Sequence, residues 1–139
     1  MRTNLGPADL ADLLEAPLIA VLATRRRDDS IMLSPVWFEW HEGGINIWVP
    51  DVEGGKVGHV RRDPRVTFVV ANQTWPYKGL EIRGEAVIES ASFHDVLWRT
   101  TLRYLGPEAA ERMAAEYAQG AVLRIEPGVV RGWDYLDEA

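Results

Sequence analysis

Two short turn-rich interruptions constrain this chain most: Arg26-Arg27-Asp28-Asp29-Ser30 and His41-Glu42-Gly43-Gly44 separate apolar, branched runs that follow closely on one another. Parallel neighbours need a crossover of about a dozen residues or more, whereas antiparallel neighbours close through a tight turn. The runs at 18–24, 31–40 and 45–49 therefore read as an antiparallel meander, and the usual parallel dinucleotide-binding sheet is excluded.

The remaining punctuation extends that pattern. Residues 7–15 carry Leu10, Leu13 and Leu14 at helical spacing behind Pro7, which predicts a short amphipathic helix plugging one end of a barrel. Gly54-Gly55 opens a short helix over 56–63 that Pro64 stops. Residues 65–71 form a fourth strand, 72–78 an aromatic loop, and 79–90 a fifth strand with Leu80, Ile82, Gly84 and Ala86 on one face. Ser92 and Asp95 resemble a capping box for a helix to Leu105, and Pro107 leads a second helix to Gln119. A last strand, in two pieces around Pro127-Gly128, ends near Trp133. The expectation is one domain over 1–139: mainly β, a six-stranded antiparallel split β-barrel with peripheral helices.

Composition narrows the chemistry. The chain has no cysteine, so disulfides, thiolate nucleophiles and Cys-type zinc sites are absent, and a redox role must come from a cofactor. A net charge of −6 argues against nucleic acid as a partner. No stretch approaches a membrane span and residues 1–7 lack the apolar core of a signal peptide, so a cytoplasmic protein is expected. His41, His59 and His94 have no metal-motif spacing, and no serine-hydrolase signature or glycosidase carboxylate pair stands out.

Three segments carry chemistry. Gly54-Gly55-Lys56 places free amides and an ammonium at a helix N-terminus, a phosphate site, with His59, Arg61 and Arg62 extending the positive field; a solvated basic helix face is the alternative. Pro35 inside the run Leu33-Ser34-Pro35-Val36-Trp37-Phe38 removes a ladder donor, which makes an edge strand whose free backbone groups suit the polar edge of a flavin. The loop from Asn72 to Gly79 offers rings, amides and Lys78, fitting either a planar anionic ligand or a dimer interface.

Taken together, Ala20-Val21-Leu22-Ala23-Thr24, Ser34-Pro35-Val36-Trp37-Phe38, Lys56-Val57, Arg61-Arg62-Asp63-Pro64-Arg65-Val66, Pro76-Tyr77, Leu80-Glu81-Ile82-Arg83-Gly84 and Val130-Arg131-Gly132-Trp133 resemble the pyridoxamine-phosphate-oxidase-like split-barrel superfamily, in its flavin/deazaflavin oxidoreductase branch. The resemblance implies a homodimer with a cofactor in each cleft between subunits. Ser34, Pro35, Val36 and Trp37 would line the ring, Trp48 and Val49 would flank the ribityl chain, and Lys56 would hold the phosphate. Tyr77 and Lys78 would approach from the partner. Lys56-Val57-Gly58-His59 stands where members using coenzyme F420 often carry Lys-Val-Arg-Asn, so one tail-binding arginine is missing; Arg25 to Arg27, Arg61 and Arg62 offer a basic mouth for an oligoglutamate tail instead, and F420 is expected with FMN as the alternative. The implied activity is hydride transfer to or from a small conjugated or aromatic substrate. Its rival is a non-catalytic flavin- or haem-binding or ligand-sensing protein on the same barrel.

Overall fold

In the computed structural model, which describes residues 1–139, alternation of apolar and polar positions sets the strands. β1 (Arg2–Leu5) and a 3-10 turn (Pro7–Leu10) precede α1 (Ala11–Glu15) and β2 (Ala20–Arg25). β3 (Ile31–Val36), β4 (Glu39–His41) and β5 (Gly44–Val49) lead to α2 (Gly55–Arg62). β6 (Arg65–Ala71) and β7 (Lys78–Glu89) follow, then α3 (Phe93–Leu105), α4 (Pro107–Glu116), β8 (Ala121–Asp134) and a 3-10 turn (Leu136–Glu138). β2 shows the rule in small: Ala20, Leu22 and Thr24 are buried, while Val21, Ala23 and Arg25 lie on the outer face.

The sheet order is β3-β2-β6-β7-β8-β5-β4, with β1 added to β8, and every pair is antiparallel. It curls around a core of 21 buried residues, in which Phe38 meets Phe68 edge to face at 5.1 Å, to give a split β-barrel. Leu10, Leu13 and Leu14 close one end of this core. On the other face of β5 and β8, Phe93, Val96 and Leu97 of α3 form a smaller core with Val122, against which Trp48 and Tyr117 pack.

The strands number eight, not six. β1 is polar and does not alternate; it forms by pairing with β8, where Arg2 bonds the buried carboxylate of Asp134. The run 31–40 is broken, because β3 pairs with β2 at one edge of the sheet while β4 pairs with β5 at the other. Trp37 and Phe38 are the whole connection between the two edges.

Other expectations shift for local reasons. The last strand is continuous, because the register shift between Arg83 and Gly84, which face Val129 and Pro127, absorbs Gly128 as an extra residue; a side chain at Gly84 would collide with the Glu126 carbonyl. Residues 7–15 divide into a 3-10 turn and a single short α-helix. The helix expected to run to Gln119 ends at Glu116. The capping box does not form: the Ser92 hydroxyl donates to Glu89 and gives α3 no side-chain cap.

Candidate functional site

The split in the barrel leaves two strand edges without partners. β3 bonds only β2, and β5 beyond Asn46 has β8 on one side and nothing from β4 on the other. Between these edges lies a cleft of about 310 Å³, lined by Pro35, Val36 and Trp37 at the end of β3, by Ile47, Trp48, Val49 and Pro50 of β5 and its continuation, and by Lys56. That size is near the lower end for ligand pockets. Lys56 is the one ionisable side chain in the lining.

Lys56 stands in the first turn of α2, whose N-cap, Gly54, supplies no side-chain cap. The first-turn amides therefore keep their hydrogens free, as at any uncapped helix start. Gly55 has φ +53°, a left-handed conformation that favours glycine, and open space lies where its side chain would be. The Asp51 carboxylate lies beside Gly54; it accepts from the Glu53 amide at 2.9 Å and bonds none of the α2 amides. Apolar walls, unpaired strand edges and a cation beside free amides at one end fit a planar ring bearing a phosphate.

Six expected site residues thus meet in one cleft: Pro35, Val36, Trp37, Trp48, Val49 and Lys56. The others lie elsewhere in the chain's own fold. Ser34 is buried on β3 outside the lining, and Val57 is a core residue of α2 that anchors the helix against the barrel. His59 bonds the buried Thr24 hydroxyl through Nδ1 at 3.0 Å. Burial, with Arg62, Arg26 and Lys56 nearby, holds its imidazole below the usual range. Arg61 donates to the Val52 carbonyl at 3.1 Å and borders a different hollow with His94 and Gln119. Tyr77 is exposed against Trp75, and Lys78 pairs with Asp12. Trp48 turns its ring toward Phe93 and Tyr117, at 6.1 and 5.7 Å, so it braces the smaller core behind the cleft.

Two supports of the site escaped the sequence reading. Glu39, almost wholly buried, accepts two bonds from Arg99 at 2.9 Å each and one from Asn46 at 2.9 Å. Burial alone would raise its carboxyl; the Arg99 guanidinium and the Asn46 amide outweigh that and hold it below the ordinary range. The signal was present as an acid between Phe38 and Trp40 in an apolar run. The second support is Tyr104, whose ring stacks on Trp37 at 4.8 Å. Nothing in the sequence near Tyr104 points to Trp37, because the contact spans two separate elements.

The model of the pyridoxamine 5'-phosphate oxidase family matches residues 7–134, nearly the whole chain. The chain belongs to that family. A conserved hypothetical protein from Mycobacterium tuberculosis is 27% identical, with a TM-score of 0.81 over 94% of this chain and 85% of the other. An F420 reductase is 26% identical, with a TM-score of 0.72 over 86% and 93% of the two chains. An FAD-binding protein from Mesorhizobium loti, at 19% identity and a TM-score of 0.64 over 96% and 97%, shares the fold. No curated protein matches the chain. No helix is long and apolar enough to cross a membrane.

Proposed function

We propose that the protein is an oxidoreductase that binds coenzyme F420, or alternatively FMN, in the cleft between β3 and β5, and passes a hydride to or from a small conjugated or aromatic molecule. One observation carries this reading: an apolar slot between two unpaired strand edges ends at Lys56 and the uncapped first turn of α2. Likeness to an F420 reductase over most of both chains favours the deazaflavin.

Bound in such a cleft, the coenzyme supplies the two-electron chemistry, so the protein's task is orientation and exclusion of water. Lys56 and the α2 amides would neutralise and fix the phosphate. Pro35, Val36 and Trp37 would set the ring's depth, and the β3 edge offers backbone donors and acceptors to its polar rim. The apolar lining would keep water from the reacting face.

The assembly proposed is a homodimer. On the outer face of β3 and β2, Ile31, Leu33 and Pro35 lie beside Val21 and Ala23, and Leu33 is 67% exposed. An apolar sheet face of this kind marks an interaction surface. A second copy laid on it would lie beside the β3 edge and enlarge the small cleft. Tyr77 and Lys78 of a second subunit are the proposed complement of the site.

The rival reading is a carrier or sensor, favoured by the lack of any acid or base other than Lys56 in the lining. Haem ligation by histidine has no support there, since His41, His59 and His94 all lie outside the cleft. Titration of the purified protein with FMN and with F420, with light scattering to count subunits, tests the proposal. Saturable binding by a dimer is expected; binding of neither coenzyme overturns it. Reoxidation of the reduced holoprotein by quinones or enones, against none, separates enzyme from carrier.

A further inference from the structure

The connection between β3 and β4 has no ladder of its own, since neither Trp37 nor Phe38 pairs with a strand. Both backbone polar groups of Phe38 are instead taken by side chains from the end of α3. The Phe38 amide donates to the Tyr104 hydroxyl at 3.2 Å, and Arg103 donates to the Phe38 carbonyl. The same Tyr104 hydroxyl donates to the Leu18 carbonyl at 2.6 Å, tying the bend to the segment entering β2. Above this clamp, Trp37 and Tyr104 stack with 12° between their planes. Burial raises the Tyr104 phenol above its usual value, which keeps its proton in place for the bond to Leu18.

We infer that Tyr104 is a positioning residue, which fixes the plane of Trp37 and thereby the shape of the cleft wall against which the coenzyme ring or its substrate lies. The inference rests on the coenzyme reading above. It separates two tasks at the cleft: Lys56 supplies affinity, whereas the stack of Tyr104 on Trp37 supplies ring orientation. Two adjacent residues of one helix thus replace the hydrogen bonds that the split denies to the strand.

The test uses the full chain with 5-fluorotryptophan at its six tryptophan positions, read by fluorine NMR, with the Trp37 signal assigned through Trp37→Phe. Tyr104→Phe keeps the stack and deletes the hydroxyl bonds; Tyr104→Leu deletes both. Selective broadening of the Trp37 signal is expected, modest in the first variant and stronger in the second, with the signals of Trp75 and Trp133, which lie outside α3 and the β3–β4 connection, unchanged. FMN affinity in Tyr104→Phe should stay within about threefold of the native protein, because its anchor is untouched. The visible circular dichroism that bound FMN acquires from its asymmetric site should change in the same variant. A Trp37 signal that stays sharp in both variants, or equal disturbance of all six, overturns the assignment. If the native protein binds neither FMN nor F420, the coenzyme reading fails separately, and the fluorine spectra still decide whether Tyr104 holds Trp37. Should Tyr104→Leu not fold, Tyr104→Phe carries the test alone.

Discussion

Replacing Lys56 by alanine should move affinity and stability in opposite directions. Lys56 occupies the first turn of α2, where the helix dipole disfavours a cation, and no ion pair of the fold includes it. Removing it should leave the ligand-free protein unchanged or more stable by about 0.3 to 1 kcal/mol, the size of a helix-end charge effect. For a phosphorylated coenzyme the same change deletes a charge-assisted hydrogen bond, a loss of about 1.5 to 3 kcal/mol, or roughly tenfold to 150-fold in dissociation constant. Lys56 is only half-buried, so solvent screening favours the lower part of that range. The assay is paired calorimetric titration with FMN and riboflavin, which share a ring and differ in the phosphate. Riboflavin affinity should change by no more than about twofold in Lys56→Ala. Equal weakening of both flavins, or a drop in melting temperature of the ligand-free variant, would refute the placement of phosphate at α2.

Three further outcomes follow from the geometry. Glu39→Gln should destabilise the fold by about 2 to 3 kcal/mol in chemical denaturation, below the cost of a wholly buried pair because Arg99 is partly solvated; no change would mean the Glu39–Arg99 pair is not formed. Gly120→Ala should cost about 1 to 3 kcal/mol by overpacking, since its methyl group would meet the Val49 carbonyl and the Phe93 ring, and an unchanged melting temperature would contradict that contact. On acidification, stability should fall in two stages. His59, whose folded value lies below the ordinary 6.5, leaves the unfolded chain to take the proton first, so stability drops as pH falls below that value. Glu39 and Asp63, both held below ordinary carboxylate values, add stability at higher pH that is lost as pH falls, for Asp63 until about 2, where Arg65 bonds it. His59→Gln should flatten the first stage alone, as thermal melts across pH can show.

The legible part of this protein was what depends on neighbours in sequence. Period-two burial in 20–25 and 65–71, the Gly54-Gly55 helix start and the hairpin turns all follow from backbone preferences that a few residues settle. Half of the site was legible for the same reason, because Pro35 marks a free edge and Lys56 a helix start. The remainder was not local. Val57 looked like a site residue, yet helix phase turned it into the barrel core, and Trp48, which does line the cleft, also packs its ring against Phe93 and Tyr117. Nothing in Arg2-Thr3-Asn4-Leu5 reads as a strand until β8 lies beside it. Tyr104 and Glu39 acquire their roles through partners 66 residues away in Phe38 and 60 residues away in Arg99.

By itself, then, the order of residues determined an antiparallel barrel with helices outside and a glycine-led helix start after its third long run, since turns and alternation act over short distances. Tertiary structure alone decided where the barrel stays open: Trp37 and Phe38 carry the chain from one margin of the sheet to the other, and only packing against α3 tells which side chains then face the gap.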